Sequence, residues 1–191
     1  MAEKKNYSVI ILAGGKSSRM GADKGLVEFN GKKMIEHILD VVRYLTDEIF
    51  IVSNNPDYKK FGYPVAEDIY KEKGPLGGIH AGLSKSTTPW NLVIGCDMPY
   101  VTSDFLEFLI LQLPQSCDAI IPVHDEKVEP LCALFNRTSL PKMESLLLKN
   151  ELKMSEVVTR LNGKFVDVPM KHFLASVIFK NINSRIDLIT S

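Results

Sequence analysis

Positions 8–12 (SVIIL) form an unbroken β-prone apolar run that ends in Ala13, Gly14 and Gly15. Such a run predicts a strand buried on both faces that feeds a glycine-rich loop. Positions 26–29 (LVEF) predict a short extended piece closed by a turn at Asn30 and Gly31. Met34, Ile35, Ile38, Leu39, Val42 and Leu45 then recur at helical spacing and predict an amphipathic helix. Positions 48–52 (EIFIV) and 90–94 (WNLVI) predict two more buried strands, with a short one between them at 64–66. A helix is expected over 77–83, after the turn at Gly74 and Pro75. Another carries Phe105, Leu106, Leu109 and Leu113 behind a cap at Thr102 or Ser103. Positions 119–121 and 131–135 read as strands and 140–149 as a helix, while 165–168 and 178–181 read as late strands. A last helical turn is expected near 186–189.

Alternation of strand and helix argues a three-layer α/β/α fold around a mostly parallel sheet. A chain of 191 residues suits one domain, and no linker or repeat divides it. Within 1–191, a nucleotide-binding half is expected over about 1–115 and an acceptor-binding half over about 116–191.

Charge changes the picture mainly by exclusion. Lys and Arg total 23 and so do Asp and Glu, so global charge gives no support for nucleic acid or an acidic membrane as partner. No apolar run approaches membrane-spanning length, and the short one after Met1-Ala2-Glu3-Lys4-Lys5 does not make a signal peptide. Cys96, Cys117 and Cys132 are odd in number, far apart and without zinc spacing. They read as buried thiols of a cytoplasmic protein.

Local charge is more telling. Lys16, Arg19 and Lys24 follow the two glycines closely. Glycines let backbone N–H groups approach an oxyanion, and cations neutralise it, which is the chemistry of a polyphosphate cradle. The P-loop pattern is absent, because Arg19 and Met20 stand where its second glycine would be, and so is G-x-G-x-x-G. Asp97 follows the strand at 90–94, and a carboxylate at such a strand end suits Mg²⁺. Asp68 stands at another strand end beside Glu67, either as half of a solvated acidic pair or as a ligand contact. His37, His80, His124 and His172 support no Ser/His/Asp or Cys/His set.

The string LAGGKSSRMGADK (12–24) resembles the signature of the molybdenum cofactor guanylyltransferases, within the sugar-nucleotide type of nucleotidyltransferase. GPLGG (74–78), CDMPY (96–100), EPL (129–131) and NIN (181–183) follow in that family's order, so the resemblance spans nearly the whole chain. It implies a Rossmann-like sheet of the nucleotidyltransferase type and transfer of GMP from GTP to the terminal phosphate of molybdenum-loaded molybdopterin, with pyrophosphate released. By the same resemblance, Leu12, Ala13, Gly14 and Gly15 meet the guanine nucleotide, with the Gly-Gly turn as the guanine-using version. Lys24 contacts the phosphates, Asp97 holds Mg²⁺, and Asp68 touches the nucleotide; Arg19, as a cation of the same loop, is expected to help Lys24 shield phosphate charge. Ser53 stands where the family has a nucleoside-contacting Asn, with Asn54 and Asn55 displaced from it, so the identity of that contact stays open. Asn181 and Asn183, alternating along an expected strand, are the acceptor-side candidates, with a second metal contact as the other role open to them.

A missing general base fits an acceptor that is itself a phosphate, since its oxygen is already anionic. The alternatives are a cytidylyltransferase, a guanylyltransferase for another phosphorylated acceptor, or a non-catalytic cofactor carrier. Expected partners beyond GTP and a molybdopterin-type acceptor are molybdoenzymes or cofactor-biosynthesis proteins.

Overall fold

The computed structural model describes residues 6–14, 23–113, 116–169 and 175–182. Its elements follow in the order β1 (Tyr7–Leu12), the hairpin β2 (Glu28–Phe29) and β3 (Lys32–Lys33), α1 (Met34–Val42), β4 (Ile49–Val52), β5 (Val65–Ala66), α2 (Gly74–Lys85) and β6 (Trp90–Gly95). After them come α3 (Ser103–Ile110), β7 (Ala119–His124), β8 (Lys127–Val128), β9 (Cys132–Asn136), α4 (Leu140–Leu148), α5 (Met154–Arg160), β10 (Gly163–Asp167) and α6 (Ala175–Ile178). Short 3₁₀ turns cover Lys24–Leu26, Pro56–Phe61 and Arg137–Ser139.

One sheet runs β10-β7-β9-β6-β1-β4-β5, with β8 paired to β7. Pairing is parallel except at β9, which runs against both β6 and β7, and at β8, which runs against β7. Strand period then sorts the core. Val9, Ile11, Leu92, Ile94, Ile49 and Ile51 face the layer of α1 and α3, whereas Ile10, Val93, Val52, Ile121 and Phe135 face that of α2, α4 and α5. The result is the expected three-layer, mostly parallel α/β fold.

Local chemistry explains most boundaries. Asn30 and Gly31 both have positive φ, 48° and 77°, which is what a two-residue hairpin turn demands. Thr102 caps α3 by accepting the Phe105 N–H at 3.3 Å. Pro75 occupies the first turn of α2, so Gly74 and Pro75 open that helix instead of preceding it. At the sheet end away from β1's glycines, buried Ser8 donates to Asn91 Oδ1 at 2.6 Å, and Ser86 and Thr88 close a satisfied hydroxyl network around them.

One expected strand is corrected. Residues 178–181 are not a strand: α6 ends at Ile178, and the chain turns there. Ile178 and Phe179 are both buried, a pattern that a half-buried strand cannot give, since its successive side chains face opposite ways. The alternating pair Asn181 and Asn183 therefore loses its strand basis, and Asn183 lies outside the described residues, as does the expected turn at 186–189. The helix α5 carries only a short apolar patch, Val157 and Val158, and the sequence reading assigns no element there. Among the described residues, no helix is long and apolar enough to cross a membrane.

Gly82 sets how closely α2 approaches the central strand. An alanine there would bring its Cβ to 2.6 Å from Ile10 Cγ2 and 2.9 Å from its Cδ1. Glycine to alanine inside a helix gains about 1 kcal/mol by itself, while overpacking a filled core costs about 1–3 kcal/mol. Ile10 is fully buried and β-branched, so it has little room to rotate away. Gly82→Ala is expected to lose about 1 kcal/mol net, read as a lower Tm. A raised Tm would mean that the helix–strand contact has slack.

Candidate active site

The strand order reverses around β1. From it the chain moves to β4 and β5 on one side, then returns to β6 on the other. In an open α/β sheet, ligands gather outside the strand carboxyl ends at such a switch point. The loop after β1 carries Gly14, and the loop after β6 carries Asp97, so the two strongest sequence candidates emerge side by side.

Backbone contacts hold this edge together. Cys96 N–H donates to Leu12 O at 3.0 Å, and Ala13 N–H donates to Val52 O at 2.9 Å. Gly14 turns with φ +126°, which favours glycine, and a Cβ there would stand 3.4 Å from Ser53 Oγ. Gly15 and Arg19 lie outside the described residues.

Lys24 opens a one-turn 3₁₀ helix and reaches across to Asp97. Its Nζ lies 3.3 Å from Asp97 Oδ2, with side chains 27% and 20% exposed. An ammonium and a carboxylate are thus held together, still open to solvent, at the carboxyl end of a parallel sheet. Gly95 makes room behind Asp97, since a Cβ on it would be 2.8 Å from Asp97 Oδ1. Among the described residues, no group of three or more His, Cys, Asp or Glu is gathered to hold a metal. A cation bound here would draw on the Asp97 carboxylate, with water and phosphate oxygens as further donors, a set that suits Mg²⁺ better than zinc.

The three residues left ambiguous by the sequence separate cleanly. Ser53 is buried beneath Gly14, and its Oγ accepts the Asn55 N–H at 3.1 Å. Asn54 faces Asp68: its Nδ2 donates to Asp68 Oδ2 at 3.3 Å, and Asp68 N–H donates to Asn54 Oδ1 at 3.1 Å. Burial pushes the Asp68 carboxyl above the usual range, and the Asn54 bond partly offsets this. Asp68 Oδ1 also lies 3.7 Å from where a Cβ on Gly78 would stand, so Asp68 and Asn54 line the β4–β5 side of the edge near the first turns of α2. Asn55 turns the other way, towards Asp23.

Sequence reasoning missed this last cluster. Asp23 Oδ1 accepts from the Tyr58 hydroxyl and from Gly25 N–H, the latter at 3.3 Å, and Asp23 Oδ2 accepts from Asn55 Nδ2 at 3.1 Å. Tyr58 is fully buried, and burial, with Cys96 and Asp23 adding to it, raises its hydroxyl well above the usual phenol range, so it remains a donor. Burial likewise pushes the Cys96 thiol up to about 12, with Asp97 and Asp23 reinforcing the shift. The one signal in the sequence was Asp23 preceding Lys24 inside the loop string.

On the other side of Asp97, the chain returns from α6. Ile182 N–H donates to Asp97 O at 3.0 Å, while Ile182 packs with Phe29, Met34 and Tyr100. Phe179 stacks on His124, with ring centroids 4.5 Å apart, and meets Phe105 edge-on at 5.1 Å. A hydrogen bond joins His124 Nε2 and Glu129 Oε1 at 2.8 Å. Asn181 is exposed on this segment, next to the residue that bonds Asp97.

Comparison with known proteins bears on the family and the fold. The chain is 32% identical over 184 residues to a probable molybdenum cofactor guanylyltransferase of Flavobacterium johnsoniae, covering 96% of this chain and 95% of that one. It is 34% identical to the molybdenum cofactor guanylyltransferase of Vibrio parahaemolyticus, over 87% of each. The crystal structure of molybdopterin-guanine dinucleotide biosynthesis protein A from Archaeoglobus fulgidus superposes with a TM-score of 0.82 at 30% identity, covering 96% of this chain and 95% of that one. The model of the MobA-like NTP transferase domain matches residues 9–164, and the chain belongs to that family of nucleotidyltransferases.

Proposed function

We propose that this protein transfers GMP from GTP to the terminal phosphate of molybdenum-loaded molybdopterin, releasing pyrophosphate and forming the guanine dinucleotide cofactor. The observation that carries the reading is the Lys24–Asp97 pair at the β1–β6 switch point, in a chain that matches guanylyltransferases over almost their full length. Mg²⁺ held by Asp97 would neutralise triphosphate charge and polarise the α-phosphoryl group.

The protein's own groups divide the remaining work. Lys24 takes up charge on the phosphates as pyrophosphate leaves, and Arg19 adds to this from the same loop. Leu12, Ala13, Gly14 and Gly15 offer backbone to the nucleotide, and a turn without Cβ leaves space for a purine. Asp68, oriented by Asn54, contacts the nucleoside, while Ser53 supports the Gly14 turn from below. Within this division β1 to β6 form the nucleotide side. The acceptor enters past β7, β9 and the segment that carries Asn181, with Asn183 beyond it. No proton acceptor is required, because the attacking oxygen belongs to a phosphate monoester. Cytoplasmic location and delivery to molybdoenzymes belong to the same proposal.

The test is pyrophosphate release with Mg²⁺, molybdenum-loaded molybdopterin and each of GTP, CTP, ATP and UTP in turn. Release with GTP alone is expected. Release with CTP alone would replace the guanine assignment, and silence with all four would replace catalysis by cofactor carriage.

A further inference from the structure

We propose that Asp23 is a positioning residue, held by Tyr58 and Asn55, that locks the turn Lys24–Leu26 and thereby sets the Lys24 ammonium against Asp97. The proposal rests on the role given to Lys24 above. An exposed lysine side chain carries several rotatable bonds, so an ammonium that must meet developing charge needs its backbone anchored. Asp23 supplies the anchor. It caps the turn through Gly25 N–H, while Leu26 N–H and Val27 N–H bond back to Asp23 O and Lys24 O at 3.0 and 3.1 Å.

The anchor is in turn tied to the scaffold. Tyr58 and Asn55 both come from the segment after β4, far from Asp23 in sequence, and Tyr58 is rigidly buried. Gly25 permits the contact: a Cβ there would stand 3.1 Å from Tyr58 Cζ and 3.2 Å from Cys96 Sγ, and closer still to the hydroxyl. Three donors from the protein, Tyr58 O–H, Gly25 N–H and Asn55 Nδ2, hold both Asp23 oxygens to the scaffold. The device therefore acts through Lys24 and does not touch substrate.

A double-mutant cycle separates this from a general structural role. Tyr58→Phe keeps the buried ring and removes only the hydroxyl. It is expected to lower kcat/KM about tenfold in the parent protein, and by less than about twofold when Lys24→Ala is already present. Hydrogen exchange at the amides of Gly25, Leu26 and Val27 should accelerate in Tyr58→Phe and in Asp23→Ala, while β9 amides stay protected. Equal losses in both backgrounds, or exchange that rises in β9 as much as in the turn, would overturn the proposal. So would unchanged turn exchange in both variants. The exchange experiment needs no turnover, so it decides the positioning role even if the parent transfers no nucleotide.

Discussion

Asp97→Asn is expected to cut GMP transfer by about 10²- to 10³-fold while leaving the fold in place. The substitution keeps shape but removes the carboxylate charge assigned to the divalent cation. It also leaves Lys24, 3.3 Å away, facing a neutral amide. Both side chains are partly exposed, so the ion pair adds less than about 1 kcal/mol to stability and Tm should barely move. Metal titration is the sharper readout. The Mg²⁺ concentration for half-maximal activity should rise by about tenfold or more. An unmoved titration curve would remove Asp97 from the metal site.

Lys24→Ala is expected to lower turnover by about 10²-fold, again with little loss of stability, because its ion pair with Asp97 is partly solvent-screened. The loss should fall mainly on kcat, since charge on the departing pyrophosphate grows in the transition state. Lys24→Arg should recover only part of the rate: charge returns, but a planar guanidinium cannot occupy the place of a compact ammonium beside Asp97. Full activity in Lys24→Ala would show that phosphate charge is handled elsewhere in the loop.

Most of the sheet was legible from apolar runs, because strands buried on both faces have no competing pattern. Residues 8–12 and 90–94 are such cases, and both extend in the structure by a residue at one end. The late segment was not legible. Ile178-Phe179 is a short apolar pair that fits a strand or a turn equally well, and the stacking on His124 that decides it comes from a distant element. At the site, Asp97 and Lys24 were readable because a strand end and a glycine loop mark them. The separate tasks of Ser53, Asn54 and Asn55 were not, since adjacent residues diverge only once the chain's path past Gly14, Asp68 and Asp23 is known. Asp23 was hidden for the same reason: two of its partners, Tyr58 and Asn55, lie on a segment whose sequence carries no phosphate chemistry.

The hydrogen bond from Ile182 to Asp97 gives the order of synthesis a meaning. A nascent chain that has emerged as far as α3 already carries the Gly14 turn, Lys24 and Asp97. It lacks β7 and β9, which extend the sheet beyond β6, and the returning segment that closes over the Asp97 backbone. Nucleotide-side geometry is thus encoded early and its closure late, so a ribosome stalled before residue 182 would display a half-built pocket rather than a working one.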